Sequence, residues 1–279
     1  MPLFPGDPAR FSPPGGGRGF RRPIDGPLPR SRGTMCTLIV AFHLDPDLPL
    51  VIGANRDERY SRPAAPPSSF EREGIRIVAP LDLEAGGTWL GLSETGLFAA
   101  LTNRFGCSPR PGQRSRGEIV LDALAAGSLD HAKERVAGLD PSTYPPFHLL
   151  LATRKEALLF WHDGRRIAQR RLPPGIVLVT ERSFGAAPTR REEMLRRALD
   201  PLKHPPTIEE LGRLLRRHAA ESFEGVCIHL PDLDYGTRSS TILCFGPTEP
   251  TFLFADGPPC RTPYGRIPLP IGDPSRRSS

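Results

Sequence analysis

The segment Met35-Cys36-Thr37-Leu38-Ile39-Val40-Ala41-Phe42 marks the change from a proline- and glycine-rich sequence to an apolar, β-branched one. A second apolar run at 50–54 follows the turn signal Asp45-Pro46-Asp47. Apolar, β-branched runs separated by turn residues predict two strands. Further strands are predicted at 75–79, 88–92 and 97–101, so the front of the domain is rich in strands with short connections.

Helix signals come later in the chain. Ser115-x-x-Glu118 and Thr207-x-x-Glu210 have the spacing of capping boxes and predict helices at 117–126 and 207–220. Blocks of adjacent strands separated by helix pairs predict an α+β domain with mainly antiparallel sheets. The remaining predicted helices are 130–137 and 190–199, and the remaining strands are 148–152, 157–162, 176–180, 226–230, 241–245 and 251–254.

Composition divides the chain of 279 residues into three parts. Residues 1–34 hold eight Pro, seven Gly and a net charge of +4, and residues 257–279 hold six Pro and a net charge of +3. Of the total charge of +6, this leaves −1 for residues 35–256. We therefore predict one domain at 35–256, a disordered extension at 1–34 that is absent from the mature protein, and a flexible tail at 257–279. A near-neutral body argues against nucleic acid as a partner.

Cysteine content and hydropathy set the expected environment. The chain has no apolar run of about 18 residues, so we expect no membrane-spanning helix. It also lacks the apolar region of a secretory signal. The cysteines are odd in number, without a CxxC pair, and Cys227-x-His229 is isolated. We therefore expect reduced thiols in the cytoplasm, with no metal and no cofactor. The five are Cys36, Cys107, Cys227, Cys244 and Cys260.

Cys36 is the most informative candidate for chemistry. If translation began at Met35, removal of that Met would leave Cys36 with a free α-amine of pKa about 7.7–8.0. The amine could take the proton of its own thiol, so that one residue supplied both nucleophile and general base. A strand cysteine is more often a small buried hydrophobe, and the residue type by itself favours that interpretation.

The segment Asn55-Arg56-Asp57-Glu58 follows the second predicted strand. Charged residues at a strand end are usually a solvated turn. In a functional interpretation, Asp57 holds an ammonium group and Arg56 favours a thiolate. Strand alternation places Asn55 and Asp57 on one face and Arg56 on the other.

Three further segments have a structural and a functional interpretation. Gly86-Gly87-Thr88-Trp89 is either a hairpin turn or a close backbone approach to a ligand, with Trp89 as a pocket wall. Asn103 either leads its strand into solvent or donates its amide to an oxyanion. Arg238, in Tyr235-Gly236-Thr237-Arg238, lies by default in a loop, and its planar guanidinium could bind a carboxylate or phosphate.

Taken together, these motifs resemble the NRDE family, the family of transport and Golgi organisation protein 2. The resemblance runs in order over about residues 35–256. It rests on Met-Cys-Thr-Leu-Ile-Val at 35–40, Ala-Asn-Arg-Asp-Glu at 54–58, Gly-Gly-Thr-Trp-Leu-Gly at 86–91, Ala-Leu-Thr-Asn-Arg at 100–104, Arg-Gly-Glu at 116–118 and Tyr-Gly-Thr-Arg at 235–238.

The resemblance implies the fold of N-terminal-nucleophile hydrolases, a four-layer αββα sandwich of two antiparallel sheets between helical layers. The choloylglycine hydrolases and penicillin V acylases, which cleave linear amides with an N-terminal Cys, would be the mechanistic relatives. Cys36 then matches the nucleophile, Asp57 the carboxylate that binds the α-amine, and Asn103 the oxyanion-hole amide.

Two positions depart from the hydrolase pattern. Those enzymes have an Arg three residues before the Asp, where this chain has Ala54, so Arg56 would be a displaced substitute. An Asn that follows the mid-chain strand is replaced here by Glu181, which would repel an oxyanion unless it is protonated or turned away. We expect Arg238, Trp89, Asn55 and Glu181 to contact the substrate.

The sequence thus predicts a cysteine amidohydrolase acting on a linear amide or acyl substrate. Its nucleophile requires that Met35 be the true start or that a protease remove the preceding segment; otherwise the protein is not a hydrolase of this kind. The alternative prediction is a non-catalytic carrier of a hydrophobic ligand. Because animal members are associated with haem trafficking and lipid homeostasis, haem and acyl-CoA are the candidate ligands.

Overall fold

The computed structural model describes residues 35–104, 110–184, 187–220, 222–247 and 249–269. The predicted extension at 1–34, Cys107 and the last ten residues lie outside the described residues. Four helices are α1 (Gly117–Leu124), α2 (Leu129–Ala137), α3 (Arg190–Leu199) and α4 (Ile208–Leu215). The strands are β1 (Thr37–Phe42), β2 (Leu50–Arg59), β3 (Ala64–Arg72), β4 (Ile75–Asp82), β5 (Leu90–Ser93), β6 (Phe98–Asn103), β7 (Phe147–Ala152), β8 (Ala157–His162), β9 (Ile167–Arg171), β10 (Gly175–Thr180), β11 (His229–Leu230), β12 (Tyr235–Phe245), β13 (Thr251–Ala255) and β14 (Gly265–Arg266).

Within the described residues, these strands form two seven-stranded sheets. The first sheet has the order β10-β1-β2-β12-β13-β14, with β11 paired to β12, and the second runs β3-β4-β5-β6-β7-β8-β9. Every pairing is antiparallel. The predicted dominance of antiparallel pairing is therefore confirmed.

Three apolar clusters lie between the layers of the fold and show the order of these layers. One cluster lies between the sheets and includes Leu38 and Ile52 of the first and Leu92 and Phe98 of the second. A second cluster joins the outer face of the second sheet to α1 and α2, and a third joins the outer face of the first sheet to α3 and α4. The layers thus run helix, sheet, sheet, helix, which confirms the predicted four-layer αββα architecture.

The strand β1 is buried along its whole length. Both faces of its sheet are covered, so its sequence is a continuous apolar run rather than an alternation of apolar and polar residues. The same double coverage explains why β2 remains buried as far as Asp57 although its sequence turns polar at Asn55. The interpretation of 55–58 as a solvated turn is therefore wrong.

Several edge elements differ from the prediction. Strand β3 was not predicted; it carries Pro66 and Pro67 at an irregularity in its pairing with β4. The polar strand β9 and the two-residue β14 were not predicted either. Edge strands tolerate proline and polar residues because one side needs no ladder hydrogen bonds. Residues 235–240, predicted as a loop, are part of β12, whereas 226–230 contributes only the short β11.

Helix boundaries follow from local hydrogen bonds. The predicted box at the start of α4 is confirmed, with reciprocal bonds between Thr207 and Glu210. The predicted capping box at α1 is wrong, because the N-cap residue is Arg116 and no side chain makes a capping hydrogen bond there. Helix α4 ends at Leu215, earlier than predicted, and the Leu215 carbonyl accepts a hydrogen bond from the side chain of Asn55.

The described part of the C-terminal segment, 257–269, is packed and not a flexible tail. Strand β14 pairs with β13, and the amide of Ile267 donates to the carbonyl of Phe252 at 2.8 Å. Ile267 and Leu269 pack against the cluster between the sheets. Proline content misled the prediction because apolar side chains between prolines can bury themselves in an extended conformation. The predicted boundary at 256 is therefore too early.

Candidate active site

Cys36 lies immediately before β1, which is an inner strand of the first sheet. The adjoining Thr37 pairs with Asn55 on β2 and with Thr180 on β10. The Cys36 thiol is partly buried and lines a cavity of about 460 Å³. The strand therefore brings a free thiol to the wall of this cavity.

Five of the eight predicted site residues line the same cavity. Residues from the first sheet meet residues from β6, from the 85–89 loop and from the start of α1. Charged side chains and the aromatic ring of Trp89 both line the cavity, which suits a ligand with polar and apolar parts. The five are Cys36, Arg56, Asp57, Trp89 and Asn103.

Asp57 is fully buried on the helix-facing side of β2. Its Oδ1 accepts a hydrogen bond of 2.6 Å from the hydroxyl of Thr237. Its Oδ2 is buried without a hydrogen-bond partner. Burial raises the pKa of Asp57 to about 7, against the opposing effects of the Arg191 charge and the Thr237 hydrogen bond. The carboxylate thus has one satisfied and one unsatisfied oxygen.

Arg191 of α3 is the cation that faces this carboxylate. It is 1% exposed, with Nη1 3.7 Å from Asp57 Oδ2 and Nη2 bonded to the Glu181 carboxylate. Nη1 also donates to the carbonyl of Met35 at 2.7 Å. One guanidinium therefore joins the start of β1, the end of β10 and Asp57. Arg191 is not among the predicted site residues, because nothing in the sequence distinguishes it from neighbouring arginines on the helix.

Arg56 lies on the opposite face of β2 from Asp57, as strand alternation predicts. Its guanidinium carbon is 4.3 Å from the ring centre of Trp89, and its Nη2 is 3.7 Å from Glu58 and 3.9 Å from Asp82. Burial lowers its pKa, while these carboxylates and the Cys36 thiol oppose the shift. Its Nη1 is buried without a hydrogen-bond partner. A guanidinium with an unused donor at a cavity wall can bind an anionic or carbonyl group.

The Cys36 thiol is held in its neutral form in this chain. Burial, followed by the charge of Asp57, raises its pKa to about 12, while the backbone of Asp57 and the charge of Arg56 act in the opposite direction. The thiolate is the reactive form, so the thiol needs a proton acceptor beside it. With Met35 attached, the nitrogen of Cys36 is an amide and cannot serve.

Tyr235 and Met35 connect the start of β1 to β12. The backbone nitrogen of Met35 donates to the Tyr235 hydroxyl at 2.8 Å. Burial, followed by the charges of Asp57 and Cys36, raises the pKa of Tyr235 well above its ordinary value. Tyr235 belongs to the motif quoted above, but the sequence analysis gave its side chain no role.

Asn103 ends β6 on the second sheet. It is partly buried, it lines the cavity, and its backbone pairs with Phe147 on β7. Asn103 comes from the second sheet, whereas Cys36 adjoins the first, and both residues line the cavity. This arrangement can present a hydrogen-bond donor to a group attacked by the thiol.

A close backbone contact forms another wall of the cavity. Gly87 precedes Trp89, and a Cβ on Gly87 would lie 2.5 Å from the carbonyl carbon of Gly117. The amide of Thr88 donates to the Gly117 carbonyl at 3.2 Å. The close approach predicted for the glycine pair is therefore to the start of α1, within the protein.

Three predicted substrate contacts are not supported by the positions of their side chains. The Asn55 amide donates to the carbonyls of Leu215 and Val226 and accepts from Ser240, so its hydrogen bonds are used within the first sheet and its helices. Glu181 is 2% exposed, is paired with Arg191 and does not line the cavity.

Arg238 also stays outside this cavity. It occupies the irregularity between Thr237 and Ser239 in the pairing of β12 with β2. An extra residue in a strand changes the direction of its side chain, which regular alternation cannot predict.

Across the described part of the chain, no helix is long and apolar enough to span a bilayer.

Comparison with known proteins identifies the family. The profile described as "Transport and Golgi organisation 2" matches residues 35–253. The Transport and Golgi organization protein 2 homolog of Bos taurus is 32% identical over 251 residues, which cover 75% of this chain and 88% of that protein. The Homo sapiens homolog is 28% identical over 249 residues, with the same coverage.

Solved structures identify the fold. An N-acylethanolamine-hydrolyzing acid amidase ortholog of Caenorhabditis elegans superposes with a TM-score of 0.54 and 12% identity, covering 75% of this chain and 92% of that chain. A variant of the conjugated bile acid hydrolase of Clostridium perfringens gives a TM-score of 0.53 and 12% identity, covering 79% and 89%. The chain therefore belongs to the Transport and Golgi organisation 2 family and has the fold of the N-terminal-nucleophile hydrolases.

Proposed function

We propose that the protein hydrolyses a linear amide or a related acyl compound, in a form of the chain that begins at Cys36. The α-amine takes the proton of the Cys36 thiol, and the sulfur attacks the acyl carbon. The carbon–nitrogen bond then breaks, and the leaving amine takes up that proton. Water hydrolyses the resulting thioester, which releases the acid and restores the thiol.

The observation that carries this proposal is the unsatisfied oxygen of Asp57. A buried carboxylate oxygen without a partner is costly, and such groups in native proteins call for an explanation. Asp57 Oδ2 is fully buried beside the start of β1, and the charge of Asp57 acts directly on the Cys36 thiol. An ammonium group on Cys36 would supply the missing donor and would be held in place for proton transfer.

Asn103 and Arg56 supply the remaining proposed roles. In the proposed mechanism the Asn103 amide donates to the oxyanion of the tetrahedral intermediate, a role that is worth about 3–4 kcal/mol of barrier when the donor is well placed. Arg56 has a buried, unused donor and lies near enough to Cys36 to favour the thiolate. Trp89 stacks on this guanidinium and holds it against the cavity wall.

The proposed substrate class is an acyl amide with a polar group. Charged side chains of both signs line the cavity, including Arg56, Arg62 and Glu118. A purely apolar ligand would desolvate these ion-paired charges and leave the buried Nη1 of Arg56 without an acceptor. The names of the two structural neighbours, an amidase of N-acylethanolamines and a hydrolase of conjugated bile acids, describe substrates that combine apolar and polar parts.

The proposal requires the loss of Met35, whose two backbone contacts would then be free. Arg191 would lose its bond to the Met35 carbonyl, and Tyr235 its bond to the Met35 nitrogen. Both side chains would then face the new α-amine region, together with Asp57. The described cysteines carry free thiols, which suits a reducing compartment, and we propose the cytoplasm.

Covalent trapping tests this function. Protein that begins at Cys36 is exposed to β-lactam and acyl probes, and its intact mass is measured. We expect a single adduct that is lost in Cys36→Ala and retained in Cys244→Ala, because Cys244 packs with α3 and α4 on the other side of the first sheet. An adduct that survives in Cys36→Ala contradicts the proposal. The absence of any adduct together with saturable haem or acyl-CoA binding favours the carrier instead.

A further inference from the structure

Two cysteines and two histidines meet at one point, away from the cavity. His218 follows α4, Cys227 lies two residues before His229, which begins β11, and Cys260 lies in the C-terminal segment after β13. Each residue offers one nitrogen or sulfur atom, and these four atoms lie within 4.8 Å of one another. Three separate parts of the chain therefore converge on one cluster.

The distances within the cluster resemble the edges of a metal-centred tetrahedron. Cys227 Sγ lies 3.6 Å from Cys260 Sγ and 3.6 Å from His229 Nε2, and His229 Nε2 lies 3.1 Å from Cys260 Sγ. Zinc bonds of about 2.3 Å to sulfur and about 2.0–2.1 Å to nitrogen give tetrahedral edges of about 3.3–3.8 Å. These three edges would need adjustments of up to about half an ångström to centre a zinc ion, and the ligand atom of His218 lies within 4.8 Å of the other three.

The fourth residue is already oriented for binding. The Nδ1 atom of His218 lies 3.0 Å from the Cys227 carbonyl, to which it can donate. A histidine that donates from one ring nitrogen to a carbonyl has its other nitrogen free as a lone-pair ligand, which is the usual arrangement in metal sites. The rings of His218 and His229 have centres 5.2 Å apart.

We propose that the chain binds one structural zinc ion through His218, Cys227, His229 and Cys260. Two thiolates and two neutral imidazoles in tetrahedral arrangement are a typical zinc ligand set, and four protein ligands leave no open position for chemistry. Binding releases the two thiol protons to solvent, so the occupied site is electrically neutral. This inference is independent of the proposed hydrolysis.

The isolated pair Cys227-x-His229 does not by itself predict a metal site. The other two ligands lie 9 residues before and 33 residues after Cys227 in the chain and reach it only through the fold. Zinc would therefore fix the C-terminal segment, through Cys260, to the turn before β11. The site also adjoins the Asp57 network, because the Ile228 amide donates to the same Thr237 hydroxyl that bonds Asp57.

Metal analysis of the full chain tests the proposal. The protein is produced with zinc in the medium and purified with a reductant and without chelators. The zinc content per chain is then measured by inductively coupled plasma mass spectrometry. We expect about one zinc ion per chain, lost in Cys260→Ser and in Cys227→Ser and retained in Cys244→Ala. Cys244 is the matched control, because it is a buried cysteine outside the cluster.

Cobalt provides a second measurement that depends on no variant. Cobalt added to the zinc-stripped full chain should give thiolate charge-transfer absorption and the visible bands of a tetrahedral centre, and zinc should displace it. A folded chain that binds neither metal would overturn the proposal. So would stoichiometric zinc that persists in Cys260→Ser, or a Cys227–Cys260 disulfide in protein purified under reducing conditions.

Discussion

Asp57 Oδ2 lies 3.7 Å from Arg191 Nη1, yet this oxygen accepts no hydrogen bond although it is fully buried. The same guanidinium donates to the Met35 carbonyl and to Glu181. The cation thus balances the charge of Asp57 without satisfying its oxygen. In the proposed function, this free acceptor binds the ammonium group of a new chain terminus at Cys36.

The first prediction concerns the ionisation of Asp57. Burial raises its pKa from 3.8 to about 7, so between these values the folded state keeps a proton that the unfolded state has lost. The free energy of unfolding therefore falls by a few kcal/mol as pH rises from about 4 to 7. Asp57→Asn should lack this component when urea unfolding is followed across that range.

The start of the chain should change this pH dependence. In protein that begins at Cys36, the ammonium group lowers the pKa of Asp57. The difference in the free energy of unfolding between the unsubstituted protein and Asp57→Asn should therefore vary less between pH 4 and 7. An identical pH dependence in the two forms of the chain would argue against an ammonium group beside Asp57.

The second prediction concerns Arg191. Arg191→Met leaves Asp57 and Glu181 buried without their cation and should lower the free energy of unfolding by about 3–5 kcal/mol. Arg190→Met, at the exposed neighbouring position, should cost less than about 1 kcal/mol, because its ion pair with Glu224 is largely solvated. Urea unfolding at neutral pH measures both.

A double variant checks the cause. Adding Glu181→Gln to Arg191→Met removes one of the two unpaired carboxylates and should restore part of the lost stability. If the two changes are additive, the ion pair is not the source of the effect.

The third prediction concerns the wall formed by Gly87 and Gly117. Gly87→Ala would place a Cβ 2.5 Å from the Gly117 carbonyl carbon, so the 85–89 loop must move away from α1. We expect a loss of about 2 kcal/mol or more in stability and weaker binding of acyl probes. Gly212→Ala, where no atom lies within 4 Å of the new Cβ, should be neutral or stabilising by up to about 1 kcal/mol. Equal thermal shifts in the two variants would contradict the close contact.

The fourth prediction concerns Arg56. In protein that begins at Cys36, Arg56→Leu removes a positive charge that lowers the pKa of the Cys36 thiol. The rate of thiol alkylation near neutral pH should fall, because the pKa of the thiol rises and less thiolate is present. Arg59→Leu is the control, because its side chain is 49% exposed. An alkylation rate that is unchanged in Arg56→Leu would contradict the proposed role of Arg56 in stabilising the thiolate.

The sequence could predict what depends on local pattern and alternation. Apolar runs predict β1 and β8 within their observed bounds, and alternation correctly assigns Arg56 and Asp57 to opposite faces of β2. The quoted motifs also pointed to the residues that line the cavity.

Long-range pairing could not be predicted from the sequence. The pairing of Glu181 with Arg191 depends on how β10 and α3 pack, and neither residue carries a local signal for it. Asn55 was predicted to contact the substrate, but its side chain donates to the carbonyl of Leu215, 160 positions away in the chain, and has a structural role. The convergence of His218 and Cys260 is of the same kind.

The most direct measurement compares the reactivity of Cys36 in two forms of the protein. One form begins at Cys36, the other retains Met35, and the rate of acyl transfer from an activated ester to the protein is followed between pH 5 and 10 by intact mass. The account predicts rapid acylation of Cys36 only in the first form, with a rate that rises through the α-amine pKa of about 7.7–8.0. Equal acylation rates in the two forms would contradict it. So would a rate whose pH dependence follows the ionisation of a thiol that has no neighbouring base.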